Sequence, residues 1–134
     1  MKKIITKPFF ILLAYFVMLT CIIISCSSDK ESDHSITNLT AVGQYVEDKD
    51  NLSGIISYNN SIDKWFIQVP VESSIDHVTC YYPIQIDPSF CTNKLKVRFS
   101  GKVYQLDETL RSQIPQVGGY DYYAIQITQI WEDD

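Results

Sequence analysis

The chain has 134 residues, 46% of them hydrophobic and 20% charged, which leaves room for one small domain and excludes a second core. Its formal net charge is −5, from 11 basic and 16 acidic side chains. That balance argues against a nucleic-acid partner, because phosphate binding needs a concentrated basic face.

Residues 1–25 read as a leader. Lys2, Lys3 and Lys7 form a positive start, and Pro8 to Ile24 is almost purely apolar, matching a secretory core and falling short of a spanning helix of about 20 residues. The order Ile23-Ile24-Ser25-Cys26 resembles the lipobox of bacterial lipoproteins. The resemblance implies that the leader is cleaved before Cys26 and that the Cys26 thiol and the new amino terminus are acylated. Two or more acyl chains anchor durably where one holds only marginally. Cys21 is the competing site, and an uncleaved signal anchor the competing reading.

Residues 26–36 are polar and read as a flexible tether, leaving 37–134 as a single β-domain. Loss of the leader removes three of the 11 basic residues and none of the acidic ones, so the mature chain carries −8. Ser27 followed by acidic residues is similar to the export signal of Bacteroidota lipoproteins. That similarity implies the outer membrane, on its cell-surface side.

A succession of strands follows. "LSGIISY" (52–58) and "KWFIQVPV" (64–71) read as a hairpin through "NNS", with Trp65, Ile67, Val69 and Val71 on one face and Pro70 near a sheet edge. "DHVTCYYPIQI" (76–86) is interrupted by Pro83, and "DPSFCTN" is a loop or single turn. "KLKVRFSGKVYQL" (94–106) points Leu95, Val97 and Phe99 inward and carries Gly101 where a long strand bulges or bends. "DETLRSQI" (107–114) is the one helix, opened by acidic residues and stopped by Pro115. In the last strand, 120–131, Tyr123, Ile125, Ile127 and Trp131 share a face. With no helical crossover long enough for parallel pairing, the expected fold is all-β: a small antiparallel barrel or sandwich of five to six strands with one short helix.

Cys80 and Cys91 flank the stretch "YYPIQIDPSF". A disulfide there, stabilising by about 3 kcal/mol through loop closure, is the preferred reading over two buried thiols outside the cytoplasm. Catalytic constellations are sparse. The histidines are His34, in the tether, and His77, whose neighbour Asp76 faces away from it on a strand. His77 and Cys80 are too few for a zinc site, and no phosphate loop is present, so no metal and no cofactor are expected and an enzyme is the least supported class. The sequons at Asn38, Asn51 and Asn59 count for little in a bacterial lipoprotein.

Nine tyrosines stand out, with Tyr81, Tyr82, Tyr120, Tyr122 and Tyr123 clustered. They are either recognition groups or half-buried rings at a sheet rim. The loop "IPQVGGYDYY" is either a plain turn or an inhibitory loop in which Val117 fills an apolar subsite of a papain-like protease, Gly118 or Gly119 sits at the scissile position, and Tyr120 follows.

The stretches "YYPIQIDPSF", "LKVRFSGKVY" and "GGYDYYAIQIT" resemble a pattern in small Bacteroidota surface lipoproteins, and no catalytic residue travels with it. The Gly118-Gly119 loop, the size and the β-class also resemble staphostatin-like inhibitors of streptopain-family cysteine proteases. The resemblance implies a barrel that inserts a glycine-bearing loop into a protease cleft. The expected protein is therefore a lipid-anchored, non-enzymatic envelope protein that binds a cysteine protease through residues 117–120. The alternative is an accessory lipoprotein of a nutrient-uptake or adhesion complex that binds glycan or protein.

Overall fold

The computed structural model describes residues 35–134; the expected leader, residues 1–25, and Cys26 and His34 lie outside the described residues. In chain order the elements are β1 (Ile36–Thr37), β2 (Val42–Asn59), β3 (Lys64–Pro70), β4 (Val78–Pro83), β5 (Gln85–Ile86), a 3-10 turn (Pro88–Phe90), β6 (Lys96–Leu106), α1 (Glu108–Gln113) and β7 (Tyr120–Glu132). Five strands close into a barrel in the order β2-β3-β4-β7-β6, and β1 pairs with β5 as a separate two-stranded ribbon.

β2 makes closure possible because it serves two partners. From Val42 to Ile55 it pairs with β6, and from Ile55 to Asn59 with β3, so one 18-residue strand bends across the barrel. Glycine permits the bend: a β-carbon on Gly54 would press on Ile67 and the Gln68 carbonyl of β3. The β2–β3 hairpin turns through residues 60–63, where Asn59 Oδ1 accepts from Ser61 N–H at 3.0 Å and Asp63 takes φ 53°.

Four seams are antiparallel, as the lack of long helical connections in the sequence leads one to expect. The fifth, β4 with β7 from Val78↔Tyr120 to Pro83↔Ile125, is parallel. The expectation of a purely antiparallel barrel looked for a helical crossover; here β6 itself and α1 make the return from β4 to β7. This order and the parallel closure are those of an OB-type Greek-key barrel, a likeness of topology that carries no function by itself.

Two apolar clusters hold the fold. Ile56, Ile67, Tyr81, Val97, Phe99, Val103 and Ile125 fill the barrel, with Trp65, Val69 and Leu95 packed against them. Outside the wall, Leu39, Cys80, Tyr82, Leu106, Ile114 and Ala124 form a second cluster, joined by Phe66 and Leu110. Neighbouring residues on β4 therefore face opposite ways and are both buried: Tyr81 inward at 4% exposed, Tyr82 outward at 1%. α1 covers part of that outer face, its N-terminus capped by Asp107, whose carboxylate accepts from Thr109 N–H at 3.2 Å.

This two-sided burial corrects the disulfide expectation. Cys80 lies in the outer cluster and Cys91 packs against the barrel interior, and both thiols are free. Sulfurs on opposite faces of the wall cannot meet without moving backbone.

The bulge expected near Gly101 is present. Between the pairs Ser100↔Gln129 and Gly101↔Ile127 the register slips by one residue, Thr128, on β7. A β-carbon on Gly101 would run into the Gln126 carbonyl and Ile125. Beyond the slip the alternation changes phase, so Ile130 rather than Trp131 packs on the core and Trp131 is 40% exposed.

Candidate functional site

One end of the parallel seam brings together the loops before β4 and before β7. The first is tied off where Val71 N–H donates to the His77 carbonyl at 2.9 Å, and Ser74 N–H donates to the Val71 carbonyl at 3.0 Å. Its tip carries Ile75, fully exposed at 102%. The second loop runs through Val117, Gly118 and Gly119 into Tyr120. Tyr120 N–H donates to the Val117 carbonyl at 3.2 Å, and Gly119 takes φ 85°, the signature of a type II turn with glycine at its third position.

The two loops touch through Gly119. Its carbonyl accepts from Val78 N–H at 2.9 Å, and a β-carbon there would collide with the Asp76 carbonyl oxygen. Gly118 faces open space. Residues 117–120 are therefore a pinned turn rather than an extended strand. That conformation leaves the Val117 side chain 52% exposed.

Beside the turn, Arg111, Gln116, Val117, Tyr120 and Tyr122 line a small cleft of about 110 Å³. The Tyr120 and Tyr122 rings stack at 6.4 Å and 21°. The Tyr122 hydroxyl donates to the Pro115 carbonyl at 3.4 Å, which ties the loop to its own strand. Burial is the main cause raising the Tyr122 phenol above its usual range, with the Cys80 thiol adding to it.

Across the parallel seam His77 Nε2 lies 2.6 Å from Asp121 Oδ2, both side chains partly exposed. In the sequence the one neighbouring carboxylate considered for His77 is Asp76, which faces away from it; the parallel seam brings Asp121 instead. The pair orients the imidazole, and among the described residues no hydroxyl or thiol nucleophile is bonded to it. His77 and Cys80 do not come together as ligands, and among the described residues no group of three or more His, Cys, Asp or Glu side chains is placed to hold a metal ion.

The tyrosine clusters divide sharply. Tyr81 and Tyr82 are buried, on opposite faces of the wall, and burial pushes both phenols up to about 12, with Glu47, Tyr123 and Asp121 adding to the rise at Tyr81. Tyr120 is the most exposed of the five at 38%. No protein-family model matches the chain, and no curated protein is detectably similar to it.

Proposed function

We propose that this is a lipid-anchored, non-enzymatic binding protein of the cell envelope, tethered through Cys26 at the outer-membrane surface, that engages another protein with the two-loop end of its barrel. The supporting observation is that Ile75 and Val117 stand exposed on adjoining loops whose bases are hydrogen-bonded to the barrel. Apolar side chains held in water on backbone that is already tied down lose less in ordering when a partner covers them than those on free loops, and each Å² buried contributes about 25 cal/mol.

The most specific form of this reading is a wedge that blocks the cleft of a papain-like cysteine protease. Titration of the full-length protein in detergent against papain-like proteases tests it: inhibition abolished by Val117→Asp and by Ile75→Asp supports it. Absence of both inhibition and binding overturns it. Palmitate labelling lost in Cys26→Ala tests the anchor separately.

The second reading, an accessory protein of a surface uptake or adhesion complex, has a narrower basis. Among the clustered tyrosines, the stacked Tyr120–Tyr122 pair, with Tyr120 38% exposed, offers the most accessible ring surface for it. Binding to a glycan or porter subunit that Tyr120→Ala abolishes, without protease inhibition, selects it.

A further inference from the structure

Hydrogen bonding between β2 and β3 stops at Ile55↔Gln68, although both strands continue. Beyond that point the barrel wall opens into a groove of about 910 Å³, within the range of small-ligand sites. Tyr81 lines it. That residue is 4% exposed, its ring packs edge-on against Phe99 and stacks on Tyr123, and its hydroxyl has no hydrogen-bond partner among the described residues. Among the described residues no fully buried side-chain polar atom is left unpaired, so this hydroxyl keeps some access to solvent on a residue that lines the groove. A phenol buried this deeply ordinarily finds a partner.

The rest of the lining narrows the chemistry of that partner. Basic and acidic side chains line the groove in equal number, three of each, so the lining side chains carry no net formal charge. Several of these charges are already paired. Arg98 Nε lies 3.2 Å from Asp133 Oδ1, Arg98 Nη1 donates to Asn51 Oδ1 at 3.3 Å, and Ser53 Oγ donates to Asp133 Oδ2 at 3.0 Å. Lys49 pairs with Glu47 at 2.9 Å. Between these groups lie Thr79 and the apolar side chains of Leu52 and Val69.

An extended peptide finds a poor ladder here. Pro70 lacks an N–H on the β3 side, and on the β2 side the register is broken between Lys49 and Leu52, with Asn51 at φ 49°. A ligand must bond to side chains rather than to strand edges.

We propose that the groove binds a neutral oligosaccharide, whose hydroxyls meet the Tyr81 and Thr79 hydroxyls and the Arg98–Asp133 network while its C–H faces rest on Leu52 and Val69. The site stands apart from the Val117 turn and does not depend on the protease reading. The full-length protein in detergent is titrated calorimetrically with soluble glucan, xylan and mannan oligosaccharides, with a polyuronate and a chitosan oligosaccharide as charged probes.

At least one neutral oligosaccharide binds, Tyr81→Phe and Thr79→Val each weaken it by about tenfold, and raised salt leaves the affinity unchanged. Tyr81→Phe keeps the ring and removes a hydroxyl without a protein partner, so its unfolding temperature stays at that of the parent. Val117→Asp binds the sugar as the parent does, which separates this site from the loop surface. The proposal is overturned if no neutral oligosaccharide binds, if both variants bind as the parent does, or if a charged probe is preferred and is released by salt.

Discussion

Asn38 and Trp65 exchange two hydrogen bonds: the Asn38 carboxamide donates to the Trp65 carbonyl at 3.0 Å and accepts from Trp65 N–H at 3.0 Å. The same carboxamide nitrogen donates to the Pro83 carbonyl at 2.8 Å. The β3–β4 register places Trp65 opposite Pro83, two residues beyond Ile67↔Tyr81, and proline has no N–H with which to complete that rung. A buried side chain supplies the missing donor and also fastens the segment before β2 to the barrel.

Asn38→Ala therefore leaves three backbone groups of the wall without their partner. Each unsatisfied buried group costs about 1–3 kcal/mol, and partial access of water to Trp65 lowers the sum, so the expected loss is about 2–4 kcal/mol in denaturant unfolding. Asn38→Asp keeps the acceptor and loses both donated bonds, and it should be at least as damaging as alanine. A variant as stable as the parent would show that water substitutes for the carboxamide.

Asn38 also shows where the sequence was silent. In the string "NLT" it is a sequon, and nothing local marks it as a strand substitute, because its three bonds go to residues 27 and 45 positions away. The hairpin, the short helix opened by acidic residues and the irregularity near Gly101 were legible because each has a mark in neighbouring residues. The first half of β2 was not: Gly43 to Asp48 are exposed on both faces, so no alternation betrays a strand. Legibility failed at Trp131 for another reason, since the one-residue slip at Thr128 reverses the phase and depends on Gly101 in a different strand. Of the loop site, Val117, Gly118, Gly119 and Tyr120 were visible locally; Ile75 and the His77–Asp121 pair needed the parallel seam.

The thiols separate by location. Cys91 is partly exposed after the 3-10 turn, whereas Cys80 is 1% exposed in the outer cluster. Under native conditions iodoacetamide should modify Cys91 first and reach Cys80 only on unfolding, as peptide mapping would resolve. Reduction should leave the unfolding midpoint unchanged. Cys80→Ser, which puts a hydroxyl among Tyr82, Leu106 and Ile114, is expected to cost about 1–3 kcal/mol.

Alkaline pH should destabilise the domain. Burial raises the Cys80 thiol from 9.0 to about 12, and the Tyr81 and Tyr82 phenols from 10.0 to about 12. Groups whose folded values lie above their unfolded ones are neutral in both states below pH 9, and stability there is complete. Above that the unfolded chain releases protons that the folded chain retains, so stability falls as pH rises toward about 12. Denaturant midpoints across this range should decline, with Cys80→Ala and Tyr81→Phe each shallowing the slope. A flat profile would mean that these groups ionise without unfolding.

The two glycines of the exposed turn should respond in opposite ways. Gly119 combines φ 85° with a β-carbon position blocked by the Asp76 carbonyl, so Gly119→Ala must strain the turn or pull the two loops apart. The expected cost is about 1–3 kcal/mol, seen in thermal unfolding and as faster exchange of the Val78 and Tyr120 amides. Gly118 meets no atom within 4 Å, so Gly118→Ala should leave stability unchanged or slightly raised through a stiffer unfolded chain. Because Val117 depends on the turn for its orientation, partner binding should weaken with Gly119→Ala and persist with Gly118→Ala. Equal loss in both variants would instead point to close backbone contact at Gly118, as in substrate-like insertion.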